Sequence, residues 1–201
     1  MNIKEKEALP NNTKGLDKGK RQGKLPLYLT PTTTKAVSAL IVVVICSLGI
    51  YFYRRNKAER EYIDNIHLAV AIMTMSNIKC LKMSNRYSYE WRSAIEYDDD
   101  FNIWLKGQRA DFEKDGSIEN IDKSKESVEN ILLKLNDTTD FYPRAHEKLI
   151  TLYGIYSQIN SLASYPTGSL MTYNAQTNKL QTEYLRVVSE LMVLLPKKKI
   201  K

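Results

Sequence analysis

AVSALIVVVICSLGIYFY, residues 36–53, decides how the rest of the chain is read. It holds 18 consecutive uncharged residues between Lys35 and Arg54. As an α-helix it would be about 27 Å long, close to the roughly 30 Å hydrocarbon core of a bilayer. Tyr51, Phe52 and Tyr53 sit at one end, where aromatic rings favour the headgroup layer, and Arg54 and Arg55 stop the apolar run. The competing reading is the core helix of a soluble protein. Such a helix usually keeps a polar face, and here only Ser38 and Ser47 interrupt the apolar surface. The pattern therefore predicts a single transmembrane helix over 36–53. GIYFYRR offers no small-residue cleavage site, and Ile45 precedes Cys46 where a lipoprotein signal needs a small residue, so the anchor is expected to be retained.

Outward from this segment the chain divides by composition. Net charge is +7, and it is uneven. Residues 1–35 carry eight Lys or Arg against three acids, with three prolines and no apolar periodicity, and read as a disordered basic tail. Residues 54–201 carry 22 basic against 20 acidic residues. A domain so nearly balanced lacks the basic face of a nucleic-acid binder, so no nucleic-acid partner is expected. Basic residues within twenty positions of the span number five before and four after, nearly a tie under the positive-inside rule. The cationic tail tips the expectation toward a cell-membrane protein with the tail inside and the C-terminal domain extracytoplasmic.

A juxtamembrane stalk is expected over 54–62 and a helical domain over 63–196. Ile63, Ile66, Val70, Met73, Asn77, Cys80, Ser84, Tyr87, Trp91 and Ala94 alternate in steps of three and four, the a/d seam of a heptad repeat. Three further helices are predicted. Residues 117–136 carry Ile118, Ile121, Val128, Ile131 and Leu135, with Ser117 as N-cap. Residues 142–164 carry Ala145, Leu149, Leu152, Tyr156, Ile159 and Ala163, with Pro143 in the first turn. The last helix is capped by Ser169, carries Tyr173, Thr177, Leu180, Tyr184, Val187, Leu191 and Leu194, and stops at Pro196. The fold class is all-α: one transmembrane helix followed by an up-and-down four-helix, coiled-coil-like bundle. Its last helix would return the basic tail Lys197–Lys201 toward the membrane; the tail reads first as a solvated end that complements the helix dipole, and alternatively as a contact with membrane lipid as partner.

A membrane helix followed by a helical bundle resembles the sensor half of bacterial chemoreceptors. The likeness implies a sensor, although this sequence shows neither a second membrane segment nor a signalling region, so such a sensor would need a partner.

Catalytic patterns are sparse. His146 opens HEKLI, which lacks the second histidine of HExxH, and His67 has no carboxylate at ligand spacing. Cys46 and Cys80 form no CxxC. DFEKDGSIENID, residues 111–122, approaches the spacing of an EF-hand calcium loop. Asp111, Glu113 and Asp115 would supply oxygens, Ser117 its carbonyl, Glu119 a water-mediated contact, and Asp122 the closing carboxylate. Glu113 is one methylene too long, and Asp122 replaces the glutamate that binds bidentately, so only weak Ca²⁺ affinity would follow. The plainer reading is a helix-connecting Asp-Gly turn with no cofactor. The expected function is non-enzymatic: a single-pass membrane protein whose helical domain binds another protein or a second copy. The alternative is a membrane-anchored sensor or ligand-binding domain.

Overall fold

The computed structural model describes residues 31–136 and 141–196, with side chains from Ala39 onward; the predicted C-terminal basic tail and most of the N-terminal one lie outside these residues. Five helices account for the described fold: α1 (Pro31–Glu96), α2 (Phe101–Lys114), α3 (Ser117–Asn136), α4 (Pro143–Ser164) and α5 (Leu170–Leu194). No strand occurs among the described residues. Two compact units are distinguished, residues 1–48 and 49–201.

Within the first unit, α1 begins at Pro31, five residues before the predicted span, so residues 31–35 are helical rather than part of a disordered tail. Proline suits the first turn because its missing N–H has no intrahelical partner there. One segment of α1 is long and apolar enough to cross a membrane, and none of that stretch is buried within the chain. The core-helix reading of residues 36–53 is thereby weakened, since a core helix would be covered by neighbours. Ser47 donates its hydroxyl to the Val43 carbonyl at 2.7 Å, which satisfies a polar group inside the apolar run.

Packing in the second unit begins earlier than the predicted boundary at 63. Tyr62 is buried, stacks on Tyr142, and its hydroxyl meets His146 Nδ1 at 3.2 Å. Tyr142 donates to Glu59 at 2.6 Å. The predicted stalk is therefore helix, and its last turn already belongs to the core. Nine of the ten seam residues are buried, with Ile63 half-buried. A third row, Tyr62, Ala69, Ser76, Met83 and Glu90, is buried beside them at steps of seven. Three buried positions per heptad make the broad face that a helix needs against two neighbours, wider than a two-stranded seam.

Residue pairs along α1 set the directions of the other helices. Tyr62, Ser76 and Cys80 meet His146, Tyr156 and Asn160 in ascending order, so α4 runs with α1. Thr74, Asn77 and Ser88 meet Tyr184, Gln181 and Asn174 in descending order, so α5 runs against it. α2 is also antiparallel: Arg86 and Tyr87 meet Gln108 and Phe112, while Trp91 stacks on Phe101. The spacing predicts three helices after the first; among the described residues there are four, because α2, which carries Phe101, Trp104 and Leu105, precedes α3.

Two further local expectations meet different outcomes. Ser169 caps α5 as predicted, in a capping box with Thr172. Ser117 is not the cap of α3 but its first helical residue; the Asp115 carboxylate accepts the Ser117 N–H at 2.8 Å instead. Aspartate one residue ahead of the glycine reaches the orphan donor first.

Candidate functional site

Residues 111–122 do not form an extended loop. Asp111 and Glu113 lie in the last turn of α2, Asp115 and Gly116 make the turn, and Ser117, Glu119 and Asp122 lie in α3. Gly116 has φ 75°, the left-handed conformation that reverses a helix end. Glu113 pairs with Arg109 at 2.9 Å and Glu119 with Lys123 at 2.6 Å. That contact holds the Glu119 carboxyl below its usual range and raises the Lys123 ammonium. Glu113, Glu119 and Asp122, with Glu126, line a shallow groove beside Ile118 and Lys123. No group of three or more His, Cys, Asp or Glu side chains with metal-binding geometry occurs among the described residues.

The centre of the domain holds polar layers, one of them at the seam residue Asn77. Asn77 and Gln181 exchange two amide hydrogen bonds, at 2.9 and 2.8 Å. Tyr156 donates to Ser76 at 2.9 Å. Cys80 donates its thiol to Asn160 Oδ1 at 2.8 Å, and the Asn160 amide donates to the Ile121 carbonyl at 3.3 Å. One cysteine thus ties α1 to α4, and through Asn160 to α3. Burial pushes the Cys80 thiol up to about 12, so it stays protonated and serves as a donor. Burial likewise raises the hydroxyls of Tyr173 and Tyr184 to about 12. Paired layers of this kind favour one register, because a slip would leave several buried amides and hydroxyls without partners. Tyr156, Tyr173 and Tyr184 are buried in these layers, whereas Tyr165 is exposed.

The exposed counterpart is the elbow between α1 and α2. Helix α1 ends in a Schellman motif: Asp99 N–H bonds to the Ala94 carbonyl at 2.9 Å, Asp98 N–H points to Ile95 at 3.4 Å, and Asp98 takes φ 55°. Asp100 then caps α2 by accepting the Asn102 N–H at 2.9 Å. Around this turn Ile95, Tyr97 and Ile103 are 63, 67 and 69 % exposed. Tyr97 stacks on the half-buried Trp104 with ring centroids 6.3 Å apart. Phe101 stacks on buried Trp91, which fixes the start of α2 to the core. On the other side of α2, Arg109 donates to the Ser164 carbonyl at 3.0 Å and lies over the Tyr165 ring. A cation at the C-terminal end of α4 also complements that helix's dipole.

The acidic run Asp98–Asp100 is visible in the sequence. The apolar surface beside it is not, because nothing in the local pattern distinguishes Ile95, Tyr97 and Ile103, which are exposed, from ordinary core residues. Comparison with protein-family models, with curated proteins and with solved structures found no match for this chain.

Proposed function

We propose that the chain is a non-enzymatic, single-pass membrane protein whose helical domain, on the extracytoplasmic side, binds another protein. In this reading α1, the bent arm α2–α3, α4 and α5 close as an up-and-down bundle, with the span of α1 in the lipid. The exposed apolar residues of the elbow carry the proposal. A soluble surface rarely sets Ile95, Tyr97 and Ile103 beside one turn without a use for them. The heptad seam is buried within the chain and is not free to meet a partner, so the binding face is placed outside it. The four lysines of residues 197–201 add contact with anionic lipid, worth about 1 kcal/mol per lysine near the surface.

A photo-crosslinking residue at Ile103, compared with one at Ser127 on α3, tests the reading in intact membranes. Adducts with a discrete protein are expected at 103 and not at 127; equal labelling at both would refute it. Val43→Arg should impair membrane insertion by about 2.5–3.5 kcal/mol. Recovery of the unaltered protein in the soluble fraction would remove the membrane part. For orientation, Ser127→Cys in a chain with Cys46→Ala and Cys80→Ser should react with an impermeant reagent on whole cells; reaction only after lysis would invert the topology.

The second reading, a membrane-anchored sensor with weak Ca²⁺ affinity, draws its support from the acidic groove of Glu113, Glu119, Asp122 and Glu126.

A further inference from the structure

We propose that the elbow docks a cationic, amphipathic segment of the partner protein, one that presents an apolar strip flanked by Lys or Arg. This rests on reading the domain as a protein-binding module. Three observations converge. First, Glu96, Asp98, Asp99 and Asp100 stand within five residues, and no basic residue occurs between Arg92 and Lys106. Asp100 is used in capping α2, while Glu96, Asp98 and Asp99 have no salt bridge among the described residues. Second, exposed Ile95, Tyr97 and Ile103 supply apolar contact beside those carboxylates. The exposed Tyr97 ring, stacked on Trp104, adds an aromatic quadrupole, which attracts ammonium and guanidinium groups. Third, the platform is set before binding: the Schellman turn, the Asp100 cap and the Trp91–Phe101 stack hold it, so little ordering remains to oppose association.

The charge decides the class of occupant. Four carboxylates repel anionic headgroups and nucleic-acid phosphates, which sets aside a lipid surface and a nucleic acid. An acidic or purely apolar protein face would leave the carboxylates desolvated without partners. The elbow is small beside a standard interface of roughly 1,600 Å², so the contact is weak, transient and salt-sensitive.

The test uses the full chain in nanodiscs of zwitterionic lipid. Both tryptophans of the protein, Trp91 and Trp104, lie at the elbow and report on it by fluorescence. Three tryptophan-free amphipathic helical peptides are titrated, identical except for a Lys, Gln or Glu polar face. The Lys peptide is expected to shift the emission with an affinity about tenfold above that of the Glu peptide, and about 0.5 M salt should erase most of the difference. Glu96→Gln combined with Asp98→Asn and Asp99→Asn should bring the Lys peptide down to the Gln peptide. Ile103→Ser should weaken all three, while circular dichroism confirms an unchanged helix content. Equal affinity for Lys and Glu peptides, or an undiminished preference in the neutralised variant, overturns the proposal. So does a larger shift with phosphatidylserine vesicles than with the Lys peptide, which would make the elbow a lipid contact. Adducts at Ile103 without any charge preference sink the cationic partner alone. No adducts and no peptide response sink the protein-binding reading with it.

Discussion

Helices α1 and α2 end in the same way and to different effect. Each closes with a residue in the left-handed conformation just beyond the cap, Asp98 at φ 55° after α1 and Gly116 at φ 75° after α2. Each turn is acidic. At the second turn the charge is absorbed locally: Asp115 caps α3, Glu113 pairs with Arg109, and Glu119 pairs with Lys123. At the first turn only Asp100 has such a task, and exposed rings surround the rest. The EF-hand spacing of the acids ranks residues 111–122 above residues 98–100, which match no ligand motif. What the neighbouring side chains do with the charge reverses that ranking.

The comparison is broken most forcefully at Gly116. A side chain there would find room, since a Cβ would meet nothing nearer than the Asn120 amide at 3.9 Å. The cost lies in the backbone, because left-handed φ is disfavoured for L-residues and most of all for β-branched ones. Gly116→Val should destabilise the domain by about 2 kcal/mol in urea unfolding, equally with and without calcium. Gly116→Asn should lose far less, as asparagine tolerates this conformation. If valine were as harmless as asparagine, the turn would not depend on its left-handed geometry.

Asp115 comes next. Its carboxylate satisfies the Ser117 N–H, one of the four orphan donors at the start of α3. Asp115→Ala should cost about 1 kcal/mol, the usual worth of an N-cap. Ser117→Ala should cost clearly less, because Ser117 is inside the helix. The reverse order would restore Ser117 as the cap.

Asp98 gives the opposite sign. Glycine is the common residue at the left-handed position of a Schellman motif, and α1 uses aspartate there. Asp98→Gly should stabilise by about 0.5–1 kcal/mol, the relief of backbone strain being partly offset by the freer unfolded chain. The same change should weaken the Lys peptide. Stability gained while binding is lost would mark a residue kept for function at the expense of the fold; both lost together would mean that Asp98 is a structural element of the turn.

Much of this architecture was legible from local pattern. Apolar spacing located α3, α4 and α5 to within a residue or two, since each buries its own stripe, and Pro143, Ser169 and Pro196 marked ends by stereochemistry that acts within a few residues. The third buried row of α1 escaped because Ser76 and Glu90 are polar and Ala69 is small; they are buried for their partners, Tyr156 for Ser76 and Arg86 for Glu90. Asn77 stands at a seam position, but its partner Gln181 lies more than a hundred residues away, and no window of sequence joins them. The elbow escaped for a related reason: the seam stops at Ala94, and the exposure of Ile95, Tyr97 and Ile103 follows only from the reversal at Asp98.

The smallest expected effect is at Asp111. In an EF-hand reading this is the first ligand, and its loss would abolish binding. In the structure it is an exposed residue in the last turn of α2, and its backbone carbonyl, not its carboxylate, accepts the Asp115 N–H at 2.9 Å. An acid there opposes the helix dipole by a few tenths of a kcal/mol, and alanine is the better helix former. Asp111→Ala should therefore leave stability unchanged within about 0.5 kcal/mol, or raise it slightly, when calcium is absent. Calorimetric titration of the full chain in nanodiscs separates the two readings of the acidic groove. Calcium heats in the millimolar range that survive Asp111→Ala would describe diffuse attraction to Glu113, Glu119, Asp122 and Glu126. Micromolar affinity that vanishes with Asp111→Ala would mean that the turn rearranges into a wrapped loop around the ion, and the sensor reading would then displace the protein-binding one.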